Sequence, residues 1–344
     1  MLHDKVDYPH PVPPRGEFHE IVPGVRWIRL PLPFRLNHIN VWTIDDGDGW
    51  ALVDTGVRTE ETAAAWERLT AQAPHDRPLT RIFVTHMHPD HIGMAGWLSR
   101  KYGARLWISR LEYLTCRVLV SDTNREAPAD AVRFYQQAGW SPAAIEAYRA
   151  RFGKFGLHIH ALPASYKRLE DGQCIRIGVH DWEVVGGNGH SPEHSCLYCP
   201  ALKLLISGDQ ILPKISSNVS LHPNEPEANP MGDWMASLDK LQARVPDDVL
   251  VLPAHNDCFH GLHVRIEQLR RGQEQAFDQL REILREPKRV IDVFPALFRR
   301  AIDPADASQL GLATGEALAC LNYLVQRDEV RRELRDGVAW YRLA

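Results

Sequence analysis

The sequence predicts an α/β layered domain followed by a small, mainly helical C-terminal domain. Short β-rich runs alternate with helical segments from residue 17 onward, which is typical of layered α/β domains. Residues 288–344 read instead as helical stretches that end in a hairpin signal. Hydrophobic residues make up 44% of the chain and charged residues 24%, so the chain has enough apolar side chains for a sizeable core.

Several runs before residue 110 have the composition of strands. VRWIRLPLP, INVWTIDD, WALVDTG and RIFVTH are rich in β-branched and aromatic residues. TEETAAAWERLTAQA predicts a helix capped by Thr59, and GMAGWLSRKYG predicts a second helix before the strand ARLWIS. Strands return after residue 160, and a long charged helix begins at residue 261 and ends before Pro287.

These changes in character divide the chain. We expect an N-terminal extension at residues 1–16, a main domain at 17–265 with a helical insert at about 111–160, a connecting helix at 266–287 and a winged-helix-like domain at 288–344. Aromatic residues of the insert, such as Tyr135, Trp140 and Tyr148, belong either to a core or to a lid over a site. The hairpin signal of the last domain is the pair Asp336 and Gly337.

Charge and cysteine content exclude several classes of protein. The formal net charge of −4 gives no global attraction to nucleic acid or to an anionic membrane. No apolar run is long enough to cross a bilayer, and the charged, proline-rich N-terminus has no signal core, which favours the cytoplasm. The pair Cys196 and Cys199 has no second pair to complete a zinc site, so we expect both on a hairpin.

The segment VTHMHPDHIGM crowds His86, His88, Asp90 and His91 into the loop after a predicted strand. Loops at the carboxyl ends of strands are where α/β proteins place reactive groups. Histidine is both a metal ligand and a general base, and the cluster by itself is also compatible with a hydrogen-bonded loop. Further ligands are needed to decide between these interpretations.

Three single residues complete a metal-ligand set. His190, Asp209 and His255 each end an apolar run, so all three can converge on one sheet edge. Five histidines and two aspartates suit zinc or iron, with a carboxylate available to bridge two ions. We therefore expect two divalent ions, zinc first, with iron and manganese as the alternatives.

The ordered series H-x-H-x-D-H, His, Asp, His, with DTG at residues 54–56, resembles the metallo-β-lactamase superfamily from about residue 20 to 265. The resemblance implies an αββα four-layer sandwich with the metals at one edge. The matching residues would bind a first metal through His86, His88 and His190. A second metal would be bound through Asp90, His91 and His255, and Asp209 would bridge both.

The resemblance also assigns supporting and catalytic roles. Asp54 would brace the histidine loop from beneath, and Asp90 would guide the attacking water. His194 in GHSPEHS is interpreted as a supporting histidine rather than a ligand. Two neighbouring divalent ions lower the pKa of a bound water and polarise a carbonyl or phosphoryl oxygen, so a metal-bound hydroxide can attack without a Ser or Cys nucleophile.

Features that distinguish the branches of the superfamily indicate which class of substrate to expect. Members that degrade β-lactams usually carry a cysteine at the position of Asp209, and the interval from Asp209 to His255 is too short for the insert of the β-CASP nucleases. Glyoxalase II-like thioesterases and lactonases share all seven ligands. The first hypothesis is therefore that the protein is a cytoplasmic binuclear hydrolase of a small thioester, lactone or related ester.

Two other functions remain open. The C-terminal segment resembles the winged helix of a hydrolase branch whose animal relatives include an endoribonuclease, so a metal-dependent nuclease or phosphodiesterase is the alternative. Nine Lys and Arg residues and eight Asp and Glu residues in 288–344 nearly cancel, which argues against nucleic acid and leaves packing, for instance in a homodimer. The third hypothesis is a non-catalytic regulatory binding protein. The intact ligand set disfavours it, because a disused site would be free to lose ligands. Lys214 is either a substrate-binding cation or a surface lysine.

Overall fold

The computed structural model describes residues 5–34 and 36–344. The strands in these ranges are β1 Phe18–Val22, β2 Val25–Pro31, β3 His38–Asp46, β4 Gly49–Val53, β5 Leu79–Phe83, β6 Arg105–Ser109, β7 Lys167–Leu169, β8 Cys174–Ile177, β9 His180–Gly187, β10 His194–Cys199, β11 Leu204–Gly208, β12 Leu250–Pro253, β13 Lys288–Arg289, β14 Val330–Arg335 and β15 Val338–Leu343. The helices are α1 Glu60–Thr70, α2 Pro89–Ile92, α3 Ala95–Tyr102, α4 Arg110–Ser121, α5 Ala129–Gln137, α6 Pro142–Arg151, α7 Pro230–Arg244, α8 Leu262–Ile283, α9 Phe294–Leu297 and α10 Ala307–Gln326.

Two compact units divide the chain. The first contains the chain up to Thr123 together with Lys154–Ser217 and Asp239–Ile266, and the second contains Asn124–Gly153, Asn218–Leu238 and Glu267–Ala344. Part of the predicted insert at 111–160 thus groups with the C-terminal residues. The four domain boundaries drawn from the sequence stay predictions.

The first unit is built on two sheets. In the first sheet β1 to β7 lie side by side in chain order, antiparallel from β1 to β4 and parallel from β4 to β7. The second sheet has the order β12-β11-β10-β9-β8, and only the pair β11 and β12 is parallel among its described strands. All five residues of β4 are buried, as expected of a strand covered on both faces.

The two sheets pack face to face. Trp27, Trp42 and Val53 of the first sheet share one core with Trp182 and Leu197 of the second. On the other face of the first sheet, a second core contains side chains from β4 to β6 and from helices α1, α3 and α4. Helices therefore cover the outer face of the first sheet, and the last residues of α7 lie on the outer face of the second. The layers run helix, sheet, sheet, helix, and the predicted αββα sandwich is confirmed.

The last residues of helix α7, from position 239 onward, lie on the outer face of the second sheet. Lys240 donates to the carbonyl of Gly186 on β9 at 3.1 Å, and Arg244 pairs with Glu183 on the same strand. Glu183 lies between Trp182 and Val184, which point into the core between the sheets. Since neighbouring side chains of a strand alternate between faces, Arg244 lies on the opposite, outer face.

The caps and turns agree with the sequence. Thr59 accepts a hydrogen bond from the backbone N–H of Thr62 at 3.1 Å, so the predicted helix cap is confirmed. Cys196 and Cys199 lie buried on β10 and are not in a disulfide, as the hairpin interpretation expected. Within residues 5–34 and 36–344, no helix combines the length and apolar character needed to span a membrane.

The second unit contains α5, α6, α9, α10 and the sheet β13-β15-β14. Tyr135 packs against Trp140 and Tyr148, with ring centroids 4.3 and 4.6 Å apart. The indole N–H of Trp140 donates to Thr314 of α10 at 2.9 Å. This aromatic cluster therefore packs among the helices of its own unit.

The C-terminal hairpin turns at Asp336 and Gly337, with φ of 48° and 80°. Two consecutive positive φ values are the signature of a type I′ turn, which matches the twist of the flanking strands. Strands β14 and β15 then pair in unbroken register from Arg335 and Val338 at the turn to Val330 and Leu343 at the open end. The predicted hairpin is confirmed.

Candidate metal centre

The candidate ligands follow the carboxyl ends of four strands of the first unit. His86, His88, Asp90 and His91 come after β5, His190 comes after β9, Asp209 follows β11 directly, and His255 comes after β12. Strands that end at one edge bring their following loops together, so residues far apart in sequence meet there. The structure brings all seven predicted ligands into two adjacent groups.

The first group consists of three histidines and Asp209. His86 Nε2 lies 2.8 Å from His88 Nδ1 and 3.2 Å from His190 Nε2, while His190 Nε2 lies 3.4 Å from Asp209 Oδ2. His86 is fully buried, and the other two rings contact it. Three ring nitrogens thus face one point together with one carboxylate oxygen.

The second group consists of Asp90, His91 and His255. Asp90 Oδ2 lies 3.3 Å from His255 Nε2 and 3.7 Å from His91 Nε2. Asp209 reaches this group with its other oxygen, since Oδ1 lies 3.6 Å from His91 Nε2 and 3.5 Å from His255 Nε2. The two oxygens of Asp209 therefore face the two groups separately.

The chemistry of this donor set fits divalent cations. The ligand atoms of each group lie within 4.8 Å of one another, and each group could hold a metal ion. His91 Nε2 and Asp209 Oδ1 are buried and have no hydrogen-bond partner within the described chain. Buried polar atoms are rarely left unpaired, and nitrogen and carboxylate ligands in this number suit zinc and related ions.

Burial favours the neutral form of two histidines of the first group, His86 and His88. Burial lowers the pKa of His86 well below its ordinary value, and the neighbouring His91 and His88 lower it further. Burial also lowers the pKa of His88 to about 3, with a further contribution from His190. Neutral imidazole is the form that offers a lone pair to a metal, so these rings are in the binding form at neutral pH.

The second group is charged. Burial opposes the ionisation of Asp90, but His91 and His255 outweigh it and lower the pKa of Asp90 to about 2. Burial also opposes the ionisation of Asp209, but His255 and His91 outweigh it, and the pKa of Asp209 lies well below its ordinary value. Burial opposes protonation of His91, yet Asp54, Asp90 and Asp209 raise the pKa of this histidine well above its ordinary value. The carboxylates are therefore ionised and favour a positive charge among them.

Asp54 lies beneath the histidine loop, where the sequence predicts a brace. Its Oδ2 is 2.8 Å from His91 Nδ1, and its Oδ1 accepts the backbone N–H of Thr85 at 2.8 Å. Asp54 has a positive φ of 62°, an uncommon conformation that aims its side chain into the loop. A carboxylate on the far nitrogen of a ligating histidine fixes both the tautomer and the ring orientation.

His194 supports Asp209 through the backbone. The N–H of Asp209 donates to His194 Nε2 at 3.2 Å. A Cβ at Gly208 would collide with this same nitrogen, and Gly208 has φ of +51°. The position before Asp209 therefore requires glycine both for its conformation and for the close approach of the imidazole.

Lys214 is paired rather than unengaged. Its Nζ lies 2.6 Å from Asp257 Oδ2 and 4.9 Å from the centroid of the Tyr8 ring. About half of its side chain is exposed. Asp257 also pairs with Arg29 at 3.3 Å, so a substrate anion would have to compete with Asp257 for Lys214.

Three supporting residues lie outside the sequence-based set. Thr85 bonds to Asp54, Glu112 accepts two backbone N–H groups near the ligands, and His38 contacts the last ligand loop. Thr85 lies inside the VTHMH segment, so the sequence motif could have identified it as a supporting residue. Glu112 and His38 belong to no motif, and only the folded chain brings them to the site.

Ligands of this kind at the edge of an αββα sandwich define a class of metal-dependent α/β proteins. The chain belongs to the metallo-beta-lactamase superfamily, because the model of that family matches residues 35–255. Residues 277–344 match the metallo-beta-lactamase-like C-terminal domain. Family and candidate site together indicate a metal-dependent hydrolase and leave the substrate class unspecified.

Relatives agree over most of the chain. A beta-lactamase domain protein from Burkholderia ambifaria is 37% identical, with a TM-score of 0.89 over 98% of each chain. A metallo-beta-lactamase family protein from Thermus thermophilus is 26% identical, with a TM-score of 0.78 over 94% of this chain and 100% of that one. An uncharacterized protein from Aquifex aeolicus is 24% identical over 68% of this chain and 87% of its own length.

Proposed function

We propose that this protein is a binuclear metal-dependent hydrolase of a small thioester, lactone or related ester. The observation that carries the proposal is the orientation of Asp209, whose two carboxylate oxygens face different ligand groups at 3.4 to 3.6 Å. If Asp209 bound a single ion, its other oxygen would not be expected to face a second set of ligand nitrogens. His86, His88 and His190 would hold the first ion, and Asp90, His91 and His255 the second.

Zinc is the proposed ion, with iron and manganese as alternatives, because imidazole and carboxylate ligands accept all three. When bound, two such ions lower the pKa of a water molecule and polarise the substrate carbonyl. The chain's own residues position these partners. Asp90, with a pKa of about 2, stays a carboxylate throughout the neutral range and can accept a hydrogen bond from the attacking water.

The substrate assignment rests on the ligand set. Asp209 stands where β-lactam-degrading members usually carry a cysteine, and all seven ligands of the glyoxalase II-like thioesterases and lactonases are present. Lys214 is proposed as a contact for a substrate carboxylate, in exchange for its present bond to Asp257. The rest of the specificity belongs to the loops around the ligands.

The test combines metal content with turnover. Elemental analysis of the purified protein is paired with a panel of thioester, lactone and phosphodiester substrates and a short single-stranded RNA. We expect about two ions per chain and turnover of a thioester or lactone, lost on replacement of His86 by Ala. One ion or none, or two ions without turnover of a thioester or lactone, would contradict the proposal. Cleavage of the phosphodiester or the RNA alone would then favour a nuclease, and no turnover at all would favour the regulatory binding protein.

A second candidate function is a metal-dependent endoribonuclease or phosphodiesterase whose winged-helix-like domain holds RNA. One observation favours it: the register of β13, β15 and β14 puts four of the six basic residues of this sheet and one tryptophan on the same face, whereas Lys288 and Arg332 lie on the other. That face carries Arg289, Arg331, Arg335, Arg342 and Trp340. Asp292 pairs with Arg289 and Glu333 with Arg335, which leaves the opposed Arg331 and Arg342 to attract phosphates.

RNA binding by this face can be measured separately from chemistry. The double variant R331E/R342E would weaken binding of the single-stranded RNA and reduce the dependence of affinity on salt. Arg149→Glu, an exposed arginine on α6 in the same unit, is the matched control. Equal RNA affinity in all three proteins would exclude this face as a docking surface.

Location and assembly are proposals as well. A cytoplasmic location is proposed, because all six cysteines are free thiols, as is usual in a reducing compartment. A homodimer is proposed as an alternative use of the C-terminal domain, and light scattering would test it. A mass equal to one chain at micromolar concentration would exclude the dimer.

A further inference from the structure

Glu112 is a fully buried carboxylate in the first turn of α4. Its Oε2 accepts the backbone N–H of Met87 at 2.8 Å, and its Oε1 accepts the backbone N–H of Glu193 at 2.8 Å. Hydrogen bonds to a carboxylate are stronger than those between neutral groups. One side chain therefore joins two loops that are more than 100 residues apart in sequence.

Both loops carry ligands of the first group. Met87 lies between His86 and His88, and Glu193 lies three residues after His190. The first group draws all its histidines from these two loops. The separation of the loops thus sets the distances among the three ring nitrogens, and Glu112 is the side chain that connects them.

The second group is held by different bonds. Asp54 fixes the far nitrogen of His91 at 2.8 Å, and the backbone carbonyl of His38 accepts a hydrogen bond from His255 Nδ1 at 2.8 Å. Asn40 donates to the carbonyls of residues 253 and 256, on both sides of His255, at 2.9 Å. The two groups share Asp209, and Thr85 contacts both His86 Nδ1 at 3.1 Å and His91 Nδ1 at 3.3 Å. The bonds of Glu112, however, lie at the first group, and those of Asn40 lie at the second.

We propose that Glu112 is a positioning residue that sets the affinity of the first metal group independently of the second. This inference rests on the proposed two-ion site. Loss of the carboxylate leaves one buried and one partly buried N–H group without this acceptor and releases the two loops from each other. Residues that orient metal ligands typically contribute about 10- to 100-fold to metal affinity when they are changed.

A general role in folding predicts a different result. If Glu112 only stabilised the domain, its replacement would weaken both groups together, in proportion to the loss of stability. If it positions the first group, the dissociation constant of that group alone would rise. The discriminating quantity is therefore the ratio of the two metal dissociation constants, measured besides turnover.

The experiment compares Glu112→Gln and Glu112→Ala with two controls. Glutamine keeps the size of the side chain but directs an amide NH₂ at one of the two N–H groups, so it is the milder variant. Asn40→Ala removes the bonds around His255 and serves as the reciprocal control. Cys116→Ala, buried one turn later on α4, controls for lost packing.

Zinc dissociation constants are measured by competition with a chelator, and occupancy of each group by anomalous scattering from crystals grown with one equivalent of zinc. We expect Glu112→Gln to weaken the first group by about 10-fold or more while the second stays near its wild-type value. We expect Asn40→Ala to weaken the second group while the first stays near its wild-type value. We expect Cys116→Ala to leave the ratio of the two dissociation constants unchanged.

The two proposals can fail separately. Wild-type protein that binds fewer than two ions would contradict the binuclear function, and with it this inference. Wild-type protein that binds two ions, with both constants weakened equally by Glu112→Gln, would overturn the role of Glu112 alone. An unchanged first-group constant in a folded Glu112→Gln protein would overturn it as well.

Discussion

Asp209 is the residue on which the proposed two-ion site depends, because each of its oxygens faces a different ligand group. Its position is fixed from three sides. The backbone N–H donates to His194, the carbonyl accepts from the hydroxyl of Ser217, and Gly208 before it has a positive φ. The carboxylate is thus aimed by contacts that are independent of any ion.

Replacing Asp209 by Ala removes the shared oxygen pair. We expect the protein to lose at least one ion and nearly all turnover, because neither group keeps its full ligand set. Asp257→Ala is the matched control, since this carboxylate lies two residues after His255 but bonds to Lys214 and Arg29. Elemental analysis of both variants checks the expectation, and two retained ions with wild-type turnover in Asp209→Ala would refute the bridging role.

Gly208 tests how tightly the residues under the site are packed. Alanine there would collide with the imidazole of His194 and would be strained at φ of +51°. We expect a loss of unfolding free energy larger than the roughly 1 kcal/mol typical of an unfavourable φ alone. Gly47→Ala gives that reference, because Gly47 has φ of +66° and open space around its Cβ position. Denaturant unfolding of both variants measures the difference, and equal losses would argue against close packing.

At the scale of elements, the strand ends and the helix start were predictable because their signals are local. The cap at Thr59 depends on residues three apart, and the turn at Asp336 and Gly337 depends on two adjacent φ values. The insert at about 111–160 was harder to interpret. Its aromatic side chains at helical spacing suit either a core or a lid, and their neighbours on α10 come from a distant part of the chain.

Helix α10 contains a partly buried carboxylate, Glu316. Burial raises its pKa from 4.5 to about 7, against the opposing hydrogen bond donated by Asn218 at 2.8 Å. Between these two values the folded protein keeps a proton that the unfolded chain releases. The contribution of Glu316 to stability is therefore complete below pH 4.5 and is lost as the pH rises through 7.

Glu316→Gln should remove this dependence on pH. We expect the variant to be more stable than the wild type at about pH 8 and close to it at about pH 5, because the amide cannot ionise. The difference in unfolding free energy between the two proteins, measured in urea at both pH values, cancels the titration of all other groups. A difference that is the same at both values would contradict a raised pKa at Glu316.

At the scale of the molecule, metal binding should be coupled to folding of the first unit. The ligands come from four separate loops, so the unfolded chain cannot present them together. Ions that bind only the folded state stabilise it by about 4 kcal/mol when their concentration is about 1,000 times the dissociation constant. Ions bound at these ligands would thus add to the stability of the folded protein.

Removal of the ions tests this coupling. We expect a chelator to lower the melting temperature and abolish turnover, and zinc to restore both. Calorimetry before and after dialysis against the chelator measures the change, and the Asp209→Ala protein shows how much of it depends on the shared carboxylate. A melting temperature unaffected by chelation would contradict a metal centre in the folded protein.

The sequence by itself determined the αββα fold and the seven candidate ligands. Strand periodicity is local, and each ligand lies at the end of an apolar run or in the loop just after one, so a resemblance in order and spacing was enough to identify the set. The resemblance already assigned these ligands to two groups, and only the tertiary structure decided which residues hold them in place. Glu112 and His38 act through bonds to residues about 25 to more than 200 positions away, and such pairings arise only when the sheets and loops pack.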